Sequence, residues 1–290
     1  MTQSMISHRS LDSLQLGLGR LAKVQEQLST GRVLNRPSDS PTDTTSAMRI
    51  RSAYTRTEQY IRNADDAVGR LGLADTTLGT MGDQVRRVRE LVQQSRSGAS
   101  STVSREALAT EIEQLHGSLL ADANTKYLDR PIFGGITAGT DAYDDTGTFI
   151  GVAGTIGRKV GSDVTVRVDL DPTEFLGSGP TSVFAAVENA ALALRSGDEA
   201  GINTALDQLS GFMNDINAAR ATVGARQAQV ERSQAAAEDA KVDLTSRLTD
   251  LENVDVAAAS IDLKLQEMAY QAALAATARV VQPSLLDFLR

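Results

Sequence analysis

Residues 252–290 read ENVDVAAASIDLKLQEMAYQAALAATARVVQPSLLDFLR, and the rest of the architecture can be worked out from this stretch. Its apolar residues recur at alternating spacings of three and four, which aligns Ala258, Ile261, Leu265, Met268, Ala272 and Ala275 along one stripe of an α-helix. A second line of helical spacing holds Leu263, Tyr270, Leu274 and Val281, and the chain ends with Leu285, Leu286, Phe288 and Leu289. One partner helix covers only one stripe, so we predict a terminal helix that also needs neighbours from other copies of the chain.

The opening of the chain has a matching pattern. Leucines follow the rhythm of a coiled coil, with Gln25 at the one polar position of the seam and Gly31 after it as a C-cap residue. Leaving several large apolar side chains in water costs about 1.5 to 3 kcal/mol each, which a marginally stable fold does not offset. We therefore predict that residues 1–40 and 252–290 pair as a terminal coiled-coil domain that polymerises copies into an open helix or tube. The predicted polymerisation interface consists of Leu11, Leu14, Leu18, Leu21, Leu28, Ile261, Leu265, Met268, Leu274, Leu285, Leu286, Phe288 and Leu289.

Two long helices are expected between these ends. The first has Ser40 as N-cap and Pro41 at its first position, and its apolar line steps by seven through Ile50, Thr57, Ala64, Leu71, Leu78, Val85 and Val92. The second follows Asp198 and repeats the pattern with Leu209, Ile216, Val223, Val230, Ala237, Leu244 and Leu251, although Arg220, Gln227, Gln234 and Lys241 make its companion line polar. Residues 97–101 are expected to break the first helix, and Ser104 to begin a shorter one. We predict that residues 41–128 and 182–251 form an antiparallel helical shaft domain.

The segment between Asp129 and Thr181 differs in composition from the rest of the chain. It holds 10 of the 23 glycines and no helical stripe. Residues 148–150, 155–156 and 163–168 are predicted to be short strands separated by glycine turns, the last one with alternation of period two. The predicted fold is therefore mainly α, a long antiparallel helical bundle or coiled coil with paired terminal helices and a small outer β domain at residues 129–181.

Composition excludes several classes of function. The formal net charge of −8 is spread along the chain, which argues against binding nucleic acid or an anionic membrane. No run of about 18 apolar residues is present for membrane insertion, and residues 1–14 lack the basic and apolar regions of a cleaved signal peptide. Without cysteine there is no disulfide framework and no thiolate chemistry.

Each candidate catalytic, metal or cofactor site in the sequence lacks the residue spacing or the structural context that its chemistry requires. His8 and His116 stand alone, without the spacing of metal ligands. Residues 17–22 fit a GxGxxA dinucleotide pattern, but a leucine heptad runs through them where a strand and turn are required. Asp141, Asp144 and Asp145 lack the spacing of an EF-hand calcium loop. We predict no enzyme activity, no metal and no cofactor.

Four stretches resemble the bacterial flagellins and their relatives, and the resemblance extends over essentially the whole chain. Leu28-Ser29-Thr30-Gly31-Arg32, followed by Asn35, Asp39 and Pro41, is similar to the N-terminal flagellin signature, and residues 220–227, RATVGARQ, are similar to its counterpart on the returning helix. Residues 127–135, YLDRPIFGG, and the ending 282–290, QPSLLDFLR, favour the branch of the family that joins hook to filament.

The resemblance implies a structural role at the junction of hook and filament, reached by helical polymerisation of the terminal helices. It also implies export through the flagellar type III channel, extracellular localisation in the flagellum, and three kinds of partner: a neighbouring hook-associated protein, flagellin, and an export chaperone that binds the C-terminal helices. A short flagellin that forms the filament itself is the nearest alternative. The heptads alone also fit a cytoplasmic coiled-coil scaffold or signalling protein, which would have stably helical ends as a free monomer and would not be exported.

Overall fold

This computed structural model describes residues 3–96 and 101–281, with the backbone alone for residues 3, 4, 6, 7 and 279–281. The described part contains six α-helices: α1 (Gln3–Thr30), α2 (Pro41–Ser95), α3 (Thr102–Ala123), α4 (Val183–Ser196), α5 (Glu199–Glu252) and α6 (Val256–Val281). Contacts divide the chain into two compact units. The first unit comprises Met1–Arg56 with Lys241–Arg290, and the second unit comprises Thr57–Ala240. None of the described helices is long and apolar enough to span a membrane.

The start and the seam of α2 agree with the sequence. Pro41 is its first residue, and the Ser40 hydroxyl accepts a hydrogen bond from the Asp43 amide at 3.4 Å and donates one to the Asp43 carboxylate at 2.6 Å. The predicted heptad positions from Thr57 to Val92 are all buried, together with Ala67, Ala74, Met81 and Val88 on the companion line. Ile50, which precedes them in the first unit, is only half-buried. The long seam therefore forms the core of the second unit.

Helix α5 supplies the other side of this core, and its heptad residues are likewise less buried where the helix enters the first unit. Five of its heptad residues are buried, Leu209, Ile216, Val223, Val230 and Ala237, whereas Leu244 and Leu251 in the first unit are half-buried. Two of its polar seam residues meet acids of α2. Arg220 Nε lies 3.1 Å from Asp75 Oδ1, and Gln234 Nε2 donates to Asp65 Oδ1 at 2.8 Å. These contacts show that α2 and α5 run antiparallel within the second unit, as predicted.

The shorter helices α3 and α4 pack against each other. The prediction that Ser104 begins α3 was wrong, because the Ser101 hydroxyl caps the helix by accepting a hydrogen bond from the Ser104 amide at 3.2 Å. Of the predicted helix break, residues 97–100 lie outside the described residues. Helix α4 ends as predicted at Gly197, whose φ of +71° suits a glycine C-cap.

The segment between α3 and α4 contains two small antiparallel sheets. Strand β1 (Lys126–Tyr127) pairs with β2 (Arg130–Pro131), and β3 (Gly157–Lys159) pairs with β4 (Thr165–Arg167). The predicted strand at 163–168 is confirmed in its centre. The predicted strand at 155–156 was wrong, since β3 begins at Gly157. The Ile156 amide donates its hydrogen bond to the Asp169 carboxylate at 2.6 Å and not to a neighbouring strand.

The predicted strand at 148–150 is also absent, because side-chain oxygens accept hydrogen bonds from its backbone amides in place of a partner strand. The Thr148 amide donates to Asp144 Oδ1 at 2.8 Å, and the Phe149 amide donates to the Ser178 hydroxyl at 3.0 Å. Only an isolated bridge between Tyr143 and Phe149 remains. Hydrogen bonds from polar side chains, which period-two alternation does not encode, therefore determine the backbone path at residues 148 and 149.

Two arginines attach the segment to the long helices. Arg70 of α2 is buried and donates to the carbonyls of Val168 at 3.3 Å and Ile132 at 3.1 Å. Arg226 of α5 donates to the carbonyl of Asp169 at 2.6 Å. Burial lowers the pKa of both guanidinium groups, which are stabilised in their charged form by the carbonyls and by the nearby Asp169 carboxylate. Residues 129–181 belong to the second unit with the helices on either side, and their separation as a domain of their own stays a prediction.

Candidate functional site

The first unit has almost no core among its described residues. Its buried apolar side chains are Val24, Ala47 and Ala259, whereas Phe133, Phe184 and a continuous set of leucines and valines fill the second unit. Most of the large apolar side chains that the structure leaves exposed belong to the first unit: Met5, Leu11, Leu16, Leu18, Val33, Met48, Val242, Val256, Ile261, Leu265, Met268 and Leu274. The candidate site is this unit's apolar surface.

Helices α1 and α6 pack against each other in antiparallel directions. Near their middles, the Tyr270 ring lies beside Gly17: a Cβ added at Gly17 would be 3.5 Å from Tyr270 Cδ2, an ordinary van der Waals distance. At the other end of the contact, the C-terminus of α1 lies beside the N-terminus of α6, because the Val254 amide donates to the Gly31 carbonyl at 3.0 Å. The predicted pairing of the terminal helices is therefore present.

Only one side of α6 takes part in this packing. Ala259 is buried, and Leu263, Gln266, Tyr270 and Thr277 are half-buried on the side that faces α1. Ile261 and Tyr270 are separated by roughly two and a half helical turns, which places them on opposite sides of the helix. The predicted stripe that contains Ile261, which also includes Ala258, Leu265, Met268, Ala272 and Ala275, is exposed along its whole length.

The exposure of this stripe is large. Ile261 is 64% exposed, Leu265 54% and Met268 57%, although side chains of this kind are usually buried. Lys264 and Glu267 pair with each other at 3.2 Å and Asp262 is exposed next to Ile261, but the positions of the stripe itself are all apolar. We name the six residues Ala258, Ile261, Leu265, Met268, Ala272 and Ala275 the α6 stripe.

The leucines of α1 divide between two environments. Leu14, Leu21 and Leu28 are half-buried on the side that faces α6, together with Gly17 and the buried Val24. Leu11 and Leu18 are exposed at the edge of that side. Sequence reasoning missed Met5 and Leu16, which are exposed on the opposite side; their place outside the leucine heptad was the available signal.

The structure thus brings the described residues of the predicted interface onto one helix pair. Leu11, Leu18, Ile261, Leu265, Met268 and Leu274 are exposed, and Leu14, Leu21 and Leu28 contribute to the contact between α1 and α6. Leu285, Leu286, Phe288 and Leu289 lie outside the described residues. Participation of any of these side chains in a contact between copies stays a prediction.

The two connectors that lead into the terminal helices pair with each other. Gly31, with φ of +70°, ends α1, and the next residue Arg32 forms an antiparallel bridge with Asn253. The Val33 amide donates to the Glu252 carbonyl at 2.7 Å, opposite the bond from Val254 to Gly31. The connector pairing, which comprises residues 31–33 and 252–254, fixes the directions in which α1 and α6 leave the long helices.

Asp39 folds the remainder of the first connector. Its carboxylate accepts hydrogen bonds from the amides of Arg36 at 2.8 Å and Asn35 at 3.2 Å, and lies 3.2 Å from Lys23 Nζ on α1. The Arg36 amide, and after it the Lys23 ammonium, lower the pKa of this carboxyl group. These contacts give a structural reason for Asn35 and Asp39 in the N-terminal signature.

Acid is expected to open this connector. Because the pKa of Asp39 is lowered in the folded chain, its contribution to stability is present above the unfolded pKa of about 3.9 and is lost as the pH falls through the folded value. Hydrogen-exchange protection of the Asn35 and Arg36 amides should therefore fall below about pH 4. The variant Asp39→Asn should show the low protection at every pH, and equal protection in variant and parent at pH 6 would contradict this role.

The other candidates from the sequence have ordinary structural roles. The His116 ring makes an edge-to-face contact with the Phe184 ring, with 6.2 Å between the ring centroids. Asp141 Oδ1 lies 3.0 Å from Lys126 Nζ in an ion pair. Asp144 caps a turn by accepting the amides of Thr146 and Thr148. Residues 17–22 lie inside α1, and the described residues contain no group of three or more side chains that could hold a metal ion.

Comparisons with known proteins match both ends of the chain. A family model described as the bacterial flagellin N-terminal helical region matches residues 2–138, and one described as the bacterial flagellin C-terminal helical region matches residues 206–289. Together these models cover α1, α2, α3, α6 and most of α5, including both helices of the candidate site.

Individual relatives match nearly end to end. Flagellar hook-associated protein 3 of Escherichia coli K12 is 26% identical over 277 residues, which is 86% of this chain and 87% of the relative. The flagellar filament 33 kDa core protein of Treponema phagedenis is 24% identical over 99% of this chain and 97% of its own length. The fold is similar to the crystal structure of the flagellar junction protein FlgL from Legionella pneumophila, with a TM-score of 0.60 and 16% identity over 72% of this chain and all of that one.

Proposed function

This chain belongs to the bacterial flagellin family, and from that premise we propose that it is a structural component of the flagellum that joins hook to filament. In this proposal copies of the chain stack in a helical lattice through their terminal helices. The neighbours on either side of the stack are a hook-associated protein and flagellin. The role is mechanical, and we propose no enzymatic step for it.

The observation that carries the proposal is the contrast between the two units. The second unit buries its apolar residues, whereas the first leaves Ile261, Leu265 and Met268 more than half exposed. Burying such side chains is worth about 1.5 to 3 kcal/mol each, so a contact that covers the α6 stripe gains several kcal/mol per copy. Exposed apolar surface of this extent is typical of a face that another protein covers.

The geometry of the exposed surface favours stacking over a closed pair. Exposed side chains lie on α6 opposite its contact with α1, and on α1 opposite its contact with α6, as Leu16 and Met5 show. A helix pair with two outward apolar sides can contact one copy on each side. Contacts of this heterologous kind generate rings or open helical arrays.

The junction role is favoured over that of a short flagellin by two observations. The hook-associated protein 3 of E. coli is 26% identical to this chain, against 24% for the filament core protein of T. phagedenis, and residues 127–135 and 282–290 carry the pattern of the hook-filament branch. A seeding experiment separates the two roles. Purified chain should add a limited number of subunits to isolated hooks and should not extend filament fragments, whereas indefinite growth from filament fragments would show a filament protein.

The proposal includes export to the cell exterior through the flagellar type III channel, with a chaperone that covers the C-terminal helices before assembly. Support comes from the α6 stripe, because an apolar band of this size needs a cover in the cytoplasm as well as in the polymer. Pull-down from cell extract with the full chain and with a chain truncated after residue 251 tests the chaperone. Equal capture by both chains would place its binding surface elsewhere.

Limited proteolysis of the free chain distinguishes this proposal from a cytoplasmic scaffold. The scarcity of buried side chains in the first unit leads us to expect rapid trimming of roughly the first 40 and last 40 residues, with a resistant fragment left from the second unit. Mass spectrometry of the fragments gives the cut sites. A scaffold with stably helical ends would instead resist cleavage at both termini in dilute solution.

A further inference from the structure

The connector pairing contains a buried charge that the proposed function does not use. Glu252 is the last residue of α5, and its side chain is only 7% exposed. A carboxylate at the C-terminus of a helix faces the negative end of the helix dipole, which disfavours it. Burial adds a desolvation penalty to that unfavourable position. A neutral side chain would fit the local structure better, so the charge needs a compensating partner.

Arg51 of α2 is that partner. Its Nη2 lies 2.8 Å from Glu252 Oε1, outside the angles of a hydrogen bond, so the attraction is ionic. The carbonyl of the same Glu252 accepts the Val33 amide of the other connector at 2.7 Å. One residue therefore links α2, the end of α5 and the connector that follows α1.

The connector pairing is also the main tie between the two terminal helices at their inner ends. Val33 and Val254 each donate one backbone hydrogen bond across it, and the chain leaves the pairing directly into α1 on one side and α6 on the other. Among the described side chains, the packing of α1 against α6 fully buries only Val24 and Ala259, so the connector pairing adds backbone hydrogen bonds to a weakly buried helix contact. Whatever stabilises the pairing should then stabilise both helices.

We propose that Arg51 and Glu252 are positioning residues for assembly: their ion pair holds the two connectors together, and the connector pairing makes α1 and α6 order as one piece. The inference rests on the proposed function for its biological meaning, because it says that a terminal helix does not enter the lattice alone. The physical coupling itself is a property of the single chain and is measured without any polymer.

A disulfide across the pairing provides the direct measurement. Arg32 and Asn253 face each other, and their neighbours carry the cross-connector hydrogen bonds, which makes them a non-hydrogen-bonded antiparallel pair. Such pairs have Cα atoms about 4.5 Å apart, within the range of a disulfide. Because the chain has no cysteine, the double variant Arg32→Cys/Asn253→Cys forms a single defined bond.

Oxidation of this full-length double variant should give a monomeric cross-linked product. Hydrogen exchange of both α1 and α6 should then slow by about tenfold or more relative to the reduced form. Protection gained in one helix alone would overturn the proposal, and so would a bond that forms only between molecules. A coupled pair in a chain that fails to assemble would refute the proposed function and leave this inference standing.

The role of the ion pair is tested by the rate of disulfide formation in the double variant. Adding Glu252→Gln or Arg51→Met should slow the closure about fivefold, because the connectors meet less often. Arg51→Lys keeps the charge and should restore most of the rate. Glu267→Gln is the matched control, since it removes the exposed pair with Lys264 in the same unit and should leave the rate unchanged. Equal rates for Glu252→Gln and its parent would overturn the positioning role.

Discussion

Replacing Leu265 or Met268 with aspartate should abolish assembly while the melting temperature of the second unit stays unchanged. Both side chains are more than half exposed in the single chain, so the substitution removes little from the fold. In a polymer the new carboxylate would be buried without a partner, which costs several kcal/mol at each contact. The loss repeats at every copy, so growth should stop completely. Sedimentation of the polymer and thermal melting by circular dichroism check the two halves of this expectation.

Leu192→Asp is the matched control for this experiment. Leu192 lies on α4 in the second unit and is 54% exposed, the same fraction as Leu265. The two variants therefore add the same charge at leucines of equal exposure, and only the position differs. We expect Leu192→Asp to assemble as the parent chain does. Unchanged assembly of both Leu265→Asp and Met268→Asp would remove the α6 stripe from the interface.

Gly135→Ala should be the most damaging small substitution in the second unit. Gly135 has φ of +62°, and a Cβ placed there would lie 2.2 Å from the carbonyl oxygen of Val152. That oxygen accepts the Ile136 amide at 3.0 Å, so it cannot retreat without losing the bond. We expect a loss of about 3 to 5 kcal/mol in the free energy of unfolding, which corresponds to roughly 10 °C in melting temperature for a unit of this size.

Gly139→Ala separates the two causes of this loss. Gly139 also has a positive φ, +80°, but no atom lies within 4 Å of a Cβ placed on it. The control should therefore lose only the backbone preference of glycine, about 1 to 2 kcal/mol. The difference in unfolding free energy between the two variants measures the clash with Val152. Equal losses would show that the chain around Val152 relaxes and that Gly135 matters only for its φ.

The regular helices could be predicted because the information for them is local. Heptad spacing identified the buried residues from Thr57 to Val92, and a glycine at the end of α4 stopped the helix where expected. The start of α3 shows the limit of such rules. Ser101 and Ser104 are both suitable caps, and only the bond from the Ser104 amide to the Ser101 hydroxyl decides between them.

The strands between α3 and α4 were predicted less well because distant residues determine them. The Ile156 amide donates a hydrogen bond to the Asp169 carboxylate. Arg70 of α2 donates to the carbonyls of Val168, which lies 98 residues later in the sequence, and of Ile132. Alternation over a few residues contains no record of these bonds. The position of β3 therefore depends on the folded environment more than on its own sequence, whereas β4 follows the period-two alternation of residues 163–168.

For the candidate site, the sequence by itself determined that the last helix has two apolar sides and that one partner helix is too few. It did not determine which side faces inward, because both lines have helical spacing and similar hydrophobicity. The tertiary structure decided this: the side of α6 with Leu263 and Tyr270 packs against α1, where the Tyr270 ring lies beside Gly17. Ile261, Leu265 and Met268 remain outside, since two helices in contact bury only the faces that meet.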